Sequence, residues 1–289
     1  MIDPIVAAAK QRLKSMQNVP LPFEGFVSSA WEVHRRKLQE ALPSLETVKQ
    51  VIHYGQDLRC SGFNHRGDAG DLAQIANAAR MLKIRYPGFD FARWPVEESP
   101  LSRPETLVTV HGKKASSIMF WHMQMLCTIY YWVGRSAFTA LEIGSGLGEL
   151  AHYVKMAWPK VKYILCDLPE SLFQAEVFLE ATCPTTSFAF LPVQHACKLQ
   201  GCHVDVVINQ GSMQEMPPAT VQWWCDFIDR TDATVFISLN YGNVPIWPGP
   251  AWDLIRSERP GGEVLYTSSD FWLTIWKRHD PGIRMADLV

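Results

Sequence analysis

The sequence predicts an α/β protein in which a doubly wound parallel sheet fills the C-terminal part of the chain. Three observations predict it. Strand and helix patterns alternate from residue 137 to residue 279, a glycine-rich turn follows the first strand, and the part before residue 135 is mostly helical in pattern. Parallel strands need helical crossovers, so this alternation is typical of a sheet covered on both faces. We therefore divide the chain into a helical region, residues 1–135, and a sheet domain, residues 136–289.

The helical region contains amphipathic segments that begin near residues able to cap a helix. Asp3, Ser28 and Ser44 each stand at or just before such a start, and their side-chain oxygens can accept from first-turn amides. The predicted helices are Pro4–Gln17, Ser28–Ala41, Ser44–Tyr54, Asp71–Ile84 and Ala115–Val133.

The sheet domain is predicted from short apolar runs separated by helical patterns. The parallel strands are Phe138–Ile143, Lys162–Cys166, Ser187–Val193, Val204–Asn209 and Thr234–Asn240. The helices between them are Glu149–Trp158, Glu170–Ala181, a short piece at Ala196–Leu199, and Pro218–Arg230. Glu263–Thr267 and Phe271–Lys277 are separated by three residues, too few for a parallel crossover, and are expected to form an antiparallel hairpin.

The turn after the first strand is the main functional signal. It places Glu142 at the strand end, followed by Gly144, Ser145, Gly146 and Gly148. Glycines permit positive φ and a close approach of a ligand to the backbone, and the next helix N-terminus suits an anionic group. The dinucleotide fingerprint Gly-x-Gly-x-x-Gly fails, because its third glycine would fall at position 149, which is glutamate.

A second signal stands at the end of the next strand, where Asp167 is followed by Leu168 and Pro169. In nucleoside-binding folds, a carboxylate roughly 20 residues after the glycine turn binds the ribose hydroxyls. We expect Asp167 to have this function. The alternative is that Asp167 caps the helix that begins at Pro169.

The pattern Glu-x-Gly-x-Gly-x-Gly resembles the first motif of class I S-adenosylmethionine-dependent methyltransferases. Four segments resemble, more narrowly, a bacterial sugar O-methyltransferase family: residues 142–151, 167–170, 204–217 and 236–240. The similarity covers about residues 110–245. It implies a Rossmann-like sheet of order 3-2-1-4-5-7-6 with the last strand antiparallel, an N-terminal acceptor-side lid, and S-adenosyl-L-methionine as cofactor, with S-adenosyl-L-homocysteine as product.

This resemblance also implies functions for particular residues. Glu142 would lie near the methionine amino group, Gln194 near the adenine, and Asn209 near cofactor or acceptor, with turn formation as its alternative. The implied cofactor-binding residues are Glu142, Gly144, Ser145, Gly146, Gly148, Asp167, Leu168, Gln194 and Asn209.

A hydroxyl acceptor needs a group that removes its proton. Three candidates follow: Glu215 in the loop after the fourth strand, His122 on the helix before the first strand, and His111 in the loop ahead of that helix. Each has a structural alternative. Glu215 could cap the helix beginning near Pro217. His122 could be a core residue whose ring nitrogens are hydrogen-bonded within the protein. His111 could belong to a solvated loop.

The composition of the chain limits the kinds of partner that we expect it to bind. A net charge of −2 and a pI near 6.5 provide no cationic surface for nucleic acid. The seven cysteines are scattered and indicate reduced thiols of a cytoplasmic protein. Cys197, Cys202 and His203 lack a fourth ligand, so no metal site is predicted.

The start of the chain is predicted as an amphipathic helix without a signal peptide. His122 and Gln124 interrupt the longest apolar run, so no membrane partner is expected. A homodimer is compatible with these features.

Three functions remain open from sequence. The leading one is O-methylation of a sugar or of a glycosylated small-molecule natural product. The second is N-methylation of a peptide or amine, which needs less base catalysis. The third is a protein that binds S-adenosylmethionine without turning it over.

Overall fold

In a computed structural model, the chain is described at residues 2–59, 79–80, 82–87, 97–99, 101, 107–110, 113–134, 136–241, 244, 246–258 and 271–279. The helices of these ranges begin close to the predicted positions, because Asp3 and Ser28 cap α1 and α2 through their side-chain oxygens. The α-helices with defined bounds are α1 (Pro4–Gln17), α2 (Ser29–Ala41), α3 (Val48–Arg59), α4 (Ser117–Val133), α5 (Glu149–Ala157), α6 (Pro169–Thr182) and α7 (Pro218–Asp229). The short helix predicted at Ala196–Leu199 is part of a 3-10 helix, Val193–Leu199.

The strands form a short hairpin and one large sheet. The hairpin pairs β1 (Val108–Val110) with β2 (Lys113–Ala115) and has no counterpart in the sequence prediction. The sheet strands are β3 (Thr139–Ile143), β4 (Lys162–Asp167), β5 (Ala189–Pro192), β6 (Val206–Gln210), β7 (Val235–Tyr241), β8 (Trp252–Glu258) and β9 (Phe271–Arg278).

The strand order of the seven-stranded sheet is β5-β4-β3-β6-β7-β9-β8. Numbered along the sheet domain, this is 3-2-1-4-5-7-6, and β9 runs antiparallel to both of its neighbours. The predicted fold class is therefore confirmed: an α/β fold with a Rossmann-like sheet of this strand order, preceded by helices. The strand order reverses beside β3, so the carboxyl ends of β3, β4 and β6 border one crevice, where open α/β sheets bind their ligands.

Both faces of the sheet are covered, as the continuous apolar strands predict. On one face, buried side chains of β3, β4 and β6 pack against α4, α5 and α6. On the other face, Leu141, Val207 and Phe236 pack against α7 through Trp224 and Phe227.

Helix α6 lies between the sheet and the N-terminal helices. Its Phe173 and Val177 pack with Val6 and Leu13 of α1, and its buried Glu176 forms an ion pair with Arg12. Because α6 is buried on two sides, it lacks the single apolar stripe of a surface helix. Helix α6 thus joins α1 to the sheet domain, while the predicted division at residue 135 stays a prediction.

The predicted hairpin of Glu263–Thr267 with Phe271–Lys277 is wrong in its first strand. Residues 263–267 lie outside the described residues, and β9 pairs instead with β8, Trp252–Glu258. Two features conceal β8 in the sequence. The register shifts between Leu254 and Arg256, and Leu254 and Ile255 are both exposed, so the strand lacks the alternation by which strands are recognised.

Polar side chains join β3, β6 and the turn before β7 at the amino edge of the sheet. Asp205 accepts from the amide of Thr139 at 2.7 Å, and Asp232 accepts from the amide of Val204 at 2.8 Å. His203 lies between the two carboxylates, with Nδ1 2.8 Å from Asp232 and Nε2 2.8 Å from Asp205. The hydrogen bond to Asp232 is the largest cause of a raised pKa at His203, and the hydrogen bond to Asp205 is the next largest. Within the described ranges, no three His, Cys, Asp or Glu side chains are arranged to hold a metal ion.

The His203 contacts predict a pH dependence of stability. A histidine whose pKa is raised on folding stabilises the protein fully below the unfolded pKa of about 6.5, and this stabilisation is lost as pH rises through the folded value. His203→Gln should therefore lower the melting temperature more at about pH 6 than at about pH 8. Scanning calorimetry over this range measures the difference. Asp232→Asn should remove part of the same slope, and an unchanged slope in His203→Gln would contradict the assignment.

Candidate functional site

The glycine turn lies at the carboxyl end of β3 and leads into α5. Gly144, Gly146 and Gly148 have φ of 73°, 54° and 83°, a region that side chains with a Cβ rarely adopt. The Gly148 amide donates to the Ser145 carbonyl at 2.9 Å, which closes the turn, and Gly148 is the N-cap residue of α5. The predicted strand–turn–helix arrangement is therefore present.

Two of the three glycines are required by packing within the protein. A Cβ on Gly144 would overlap the side chain of Ser212, from the loop after β6. A Cβ on Gly148 would lie 3.0 Å from the Leu179 side chain of α6. The spacing of these glycines thus reflects close contact of the turn with two neighbouring elements.

Asp167 ends β4 and contacts the glycine turn directly. Its Oδ2 accepts from the Gly146 amide at 2.8 Å, and its Oδ1 accepts from the Leu168 amide at 2.7 Å. The cap position of α6 is taken by Leu168, which makes no side-chain cap bond. The alternative in which Asp167 caps α6 is therefore wrong. Its carboxylate is held at the crevice by two backbone amides.

Glu142 is buried beneath the turn. Its Oε2 accepts from the hydroxyl of Tyr163 on β4 at 3.0 Å. Burial raises the pKa of Tyr163 well above its usual range, and the charge of Glu142 and the hydrogen bond to it raise the pKa further. The phenol of Tyr163 therefore stays protonated and donates to Glu142. The sequence analysis did not single out Tyr163. The signal that could have found it is a tyrosine on the strand expected to lie beside Glu142, because a buried carboxylate needs a hydrogen-bond donor.

Asn209 supports the turn from the end of β6. Its Nδ2 donates to the Ile143 carbonyl at 2.7 Å, and its Oδ1 accepts from Asn240 of β7 at 2.6 Å. Ser212 also contacts Nδ2, and the side chain is fully buried. Contact of Asn209 with a cofactor or acceptor stays a prediction. Its amide is occupied by protein partners and holds the strand ends in place.

His122 lies between the end of β6 and the start of α5. Its Nδ1 is 3.0 Å from Gln210 Oε1, and its Nε2 is 3.7 Å from a carboxylate oxygen of Glu149. The Gln210 Nε2 donates to the Trp121 carbonyl at 3.2 Å, which orients the amide oxygen toward His122. The imidazole is thus oriented by Gln210 on one side and has a carboxylate near the other. Neither partner was singled out from sequence, because both contacts form only when α4 packs on the sheet.

Glu215 occupies a different environment. It is exposed, and its Oε2 accepts from the indole Nε1 of Trp31 on α2 at 2.6 Å. The helix α7 is capped by Pro217 without a side-chain bond, so Glu215 does not cap it. The remaining candidate base, His111, lies outside the described residues.

Helix α2 bridges the two loops that flank the crevice. Trp31 contacts Glu215 after β6, and Arg35 contacts the buried Glu170 at the start of α6, with Nε 3.2 Å from Oε2. Gln17 donates to Glu170 from α1 at 2.9 Å. The helical region therefore meets the sheet domain beside the predicted cofactor-binding residues.

Two buried polar atoms of the predicted site have no hydrogen-bond partner among the described residues. They are the Ser145 Oγ and the Gln194 Oε1. Gln194 donates its Nε2 to the Val19 carbonyl at 3.2 Å, which leaves the oxygen of its amide unpaired. Buried polar atoms are nearly always paired, so these two mark positions where a ligand or water can supply the bond.

No family model matches the chain, and no curated protein sequence matches it. Among solved structures, it is similar to the magnesium protoporphyrin IX methyltransferase ChlM from Synechocystis PCC 6803 with bound SAM, with 14% identity, a TM-score of 0.44, and coverage of 56% of this chain and 82% of that one. It is also similar to MtNAS in complex with MTA and tNA, with 10% identity, a TM-score of 0.45, and coverage of 95% and 97%. A third is the pyocyanin biosynthetic protein PhzM, with 10% identity, a TM-score of 0.40, and coverage of 55% and 54%. At this level of similarity the fold is defined by the strand order of the chain itself, and the function has to be argued from the site.

The contact of Gly144 with Ser212 predicts that a side chain at position 144 lowers the stability of the protein. A variant at Gly134 measures the part of this loss that comes from backbone strain alone. Gly134 also has positive φ, 65°, but a Cβ there would meet nothing within 4 Å. Gly134→Ala should cost about 1–2 kcal/mol of unfolding free energy from backbone strain. Gly144→Ala should cost about 1–3 kcal/mol more, because the new methyl group overlaps Ser212. Urea denaturation measures both. Equal losses in the two variants would show that the turn does not pack as described.

Proposed function

We propose that this protein is an S-adenosylmethionine-dependent methyltransferase that acts on a hydroxyl of a sugar or of a glycosylated small molecule. The observation that carries the proposal is the position of Asp167. The fold brings its carboxylate from 21 residues away to 2.8 Å from the Gly146 amide, at the adjoining carboxyl ends of β3 and β4. A carboxylate at this point suits a pair of ribose hydroxyls.

The residues present fit S-adenosylmethionine in three further respects. The glycine turn and the N-terminus of α5 suit a single ligand carboxylate. The unpaired Gln194 Oε1 can accept from an adenine amino group, and the unpaired Ser145 Oγ can donate to the ligand.

S-adenosylmethionine supplies an activated methyl group, so the protein has to orient the acceptor, exclude water and remove the hydroxyl proton. His122 is the best placed residue for proton removal. Its Nδ1 is paired with Gln210 Oε1, an acceptor, so Nδ1 carries the hydrogen and Nε2 keeps the basic lone pair. Glu149, 3.7 Å from Nε2, would stabilise the imidazolium that forms. Glu215 is exposed and bonded to Trp31, which suits the positioning of α2 better than proton transfer.

A sugar hydroxyl as the acceptor is supported by the resemblance of residues 204–217 to the sugar O-methyltransferase family. In this loop, Asn209 and Ser212 hold the glycine turn through hydrogen bonds to the Ile143 carbonyl. The segment that carries the resemblance is therefore the one that shapes the donor side of the crevice.

The Asp167 assignment predicts a specific loss of donor binding. Asp167→Ala should weaken S-adenosylhomocysteine binding by about 1–3 kcal/mol, because the ribose hydroxyls lose their acceptor. Isothermal calorimetry with S-adenosylmethionine, S-adenosylhomocysteine and NADH measures it, and circular dichroism checks that the variant is folded. Asp205→Asn, at the amino edge of the sheet, is the control that should bind normally. Binding of NADH alone by the unmodified protein would overturn the proposed function.

The base assignment predicts a difference between two conservative variants. His122→Gln should lower kcat by about 10²–10⁴-fold at unchanged donor affinity, because it removes the proton acceptor. Glu215→Gln should change kcat much less. The measurement is S-adenosylhomocysteine release with an acceptor found by screening neutral glycosides and peptides. A larger loss for Glu215→Gln would reverse the assignment, and full activity of both variants would favour a nitrogen acceptor.

A further inference from the structure

A cavity of about 300 Å³ lies on the α7 side of the sheet, beside β7, β9 and β8. Its polar lining comes from Ser238 and Asn240 of β7, Thr274 of β9 and Ser257 of β8. This volume is at the lower end of the range for ligand pockets and admits a single ring. None of the residues assigned above to the donor site, other than the supporting Asn240, contributes to it.

Three hydroxyl groups form a row across the cavity. Ser238 pairs with Thr274 in the β7–β9 register, and Thr274 pairs with Ser257 in the β9–β8 register, so the three side chains stand next to one another on neighbouring strands. Ser238 is buried and Ser257 is exposed, so the row runs from the interior to the surface. A ligand in the cavity would meet hydroxyl groups along its whole depth.

The middle hydroxyl has no partner. Thr274 Oγ1 is buried and makes no hydrogen bond to any described residue. By contrast, Ser238 Oγ accepts from Asn240 Nδ2 at 2.7 Å. An unpaired buried hydroxyl costs stability unless a ligand or water binds it, which makes Thr274 an independent indication of a polar ligand.

The lining also defines the charge of the ligand. None of the described residues that line the cavity is ionisable, so a charged ligand would lose its hydration without gaining a counter-charge. Trp272 contributes an aromatic surface, and Val244 and Ile246 add apolar surface. A wall with aromatic and apolar patches beside a row of hydroxyls matches a ring with apolar C–H faces and a hydroxylated edge.

The cavity is connected to the candidate donor site through one hydrogen-bonded path. Asn240 lines the cavity and donates to Asn209 Oδ1 at 2.6 Å. Asn209 in turn donates to the carbonyl of Ile143, the residue before Gly144. A ligand at the Asn240 end therefore lies on the side of the cavity that adjoins the glycine turn.

We propose that this cavity binds a neutral, polyhydroxylated ring, with Thr274 and Ser257 bonding its hydroxyl groups and Trp272 contacting its face. The cavity lies on the α7 face of the sheet, whereas α4 with the candidate base His122 packs on the other face. The proposed site is therefore separate from the site of methyl transfer, and the binding of the ring depends only on the cavity. Thr274 and Ser257 are thus assigned as specificity-determining residues of this site.

The test uses saturation-transfer NMR on the full chain with S-adenosylhomocysteine present. The probes are the methyl glycosides of glucose, galactose and mannose, each compared with its charged relative: glucuronic acid, galacturonic acid and mannuronic acid, with glucosamine as a cationic probe. Neutral glycosides should receive saturation and the charged relatives should not. Thr274→Val, which keeps the shape of the side chain and removes its hydroxyl, should weaken binding of the best probe by about three- to tenfold, the loss expected for one hydrogen bond.

Two matched variants separate this effect from general damage. Thr274→Ser keeps the hydroxyl and should retain binding. Thr182→Val makes the same substitution on α6, where the hydroxyl donates to the Phe178 carbonyl, and should not affect the probe. S-adenosylhomocysteine affinity should be equal in all these variants, because none of the substituted residues contacts the glycine turn.

The possible results distinguish the two proposals. Absence of saturation across the neutral panel, or equal binding in Thr274→Val, with normal donor affinity, would overturn the ring-binding site and leave the methyltransferase proposal standing. Neutral glycoside binding that is lost in Thr274→Val, without any donor affinity, would support the cavity and overturn the proposed function.

Discussion

The buried amide of Asn209 is the interaction on which the carboxyl edge of the sheet depends. It joins the end of β3 through the Ile143 carbonyl, the loop after β6 through Ser212, and β7 through Asn240. In a fully buried position each of these bonds is strengthened by the low dielectric, and the loss of one leaves an unpaired polar group. The glycine turn and the cavity on the α7 side are therefore joined by the hydrogen bonds of this side chain as well as by the pairing of β3, β6 and β7.

The second constraint is the double burial of α6. This helix begins immediately after the turn that carries Asp167 and Leu168, and it packs on the sheet with one side and on α1 and α3 with the other. Its first turn carries the buried carboxylate of Glu170, which is neutralised by Arg35 from α2. Removing the cation alone would leave a buried charge without a partner, a strongly destabilising change. The helical region is thus bound to the sheet domain next to the position of the Asp167 carboxylate.

The sequence was sufficient for elements whose signals are local. Helix α1 has the predicted bounds because Asp3 caps it and Pro4 occupies its first turn, and the parallel strands are found because both of their faces are buried. The strand β8 was not found, because its bulge and its exposed Leu254 and Ile255 remove the alternation on which recognition depends. Local sequence signals thus predict the helices and the parallel strands, and they are weakest for the strand at the edge of the sheet.

The same division holds for the site. The glycine turn and Asp167 are 21 residues apart and belong to one strand–turn–helix unit, so their contact was predictable. The partners of the candidate bases were not. His122 meets Gln210 across 88 residues, and Trp31 meets Glu215 across 184. Side chains brought together by the packing of separate helices leave no spacing pattern in the sequence.

Helix α2 has a consequence for how the edges of the crevice can move. It is attached to the elements on both sides, through Trp31 to Glu215 and through Arg35 to Glu170, and the two residues lie about one helical turn apart on α2. A rigid helix held at two points cannot lift at one of them without straining the other. The loop after β6 and the start of α6 are therefore kept at a fixed spacing by α2, and a change in that spacing requires the loss of one of these hydrogen bonds.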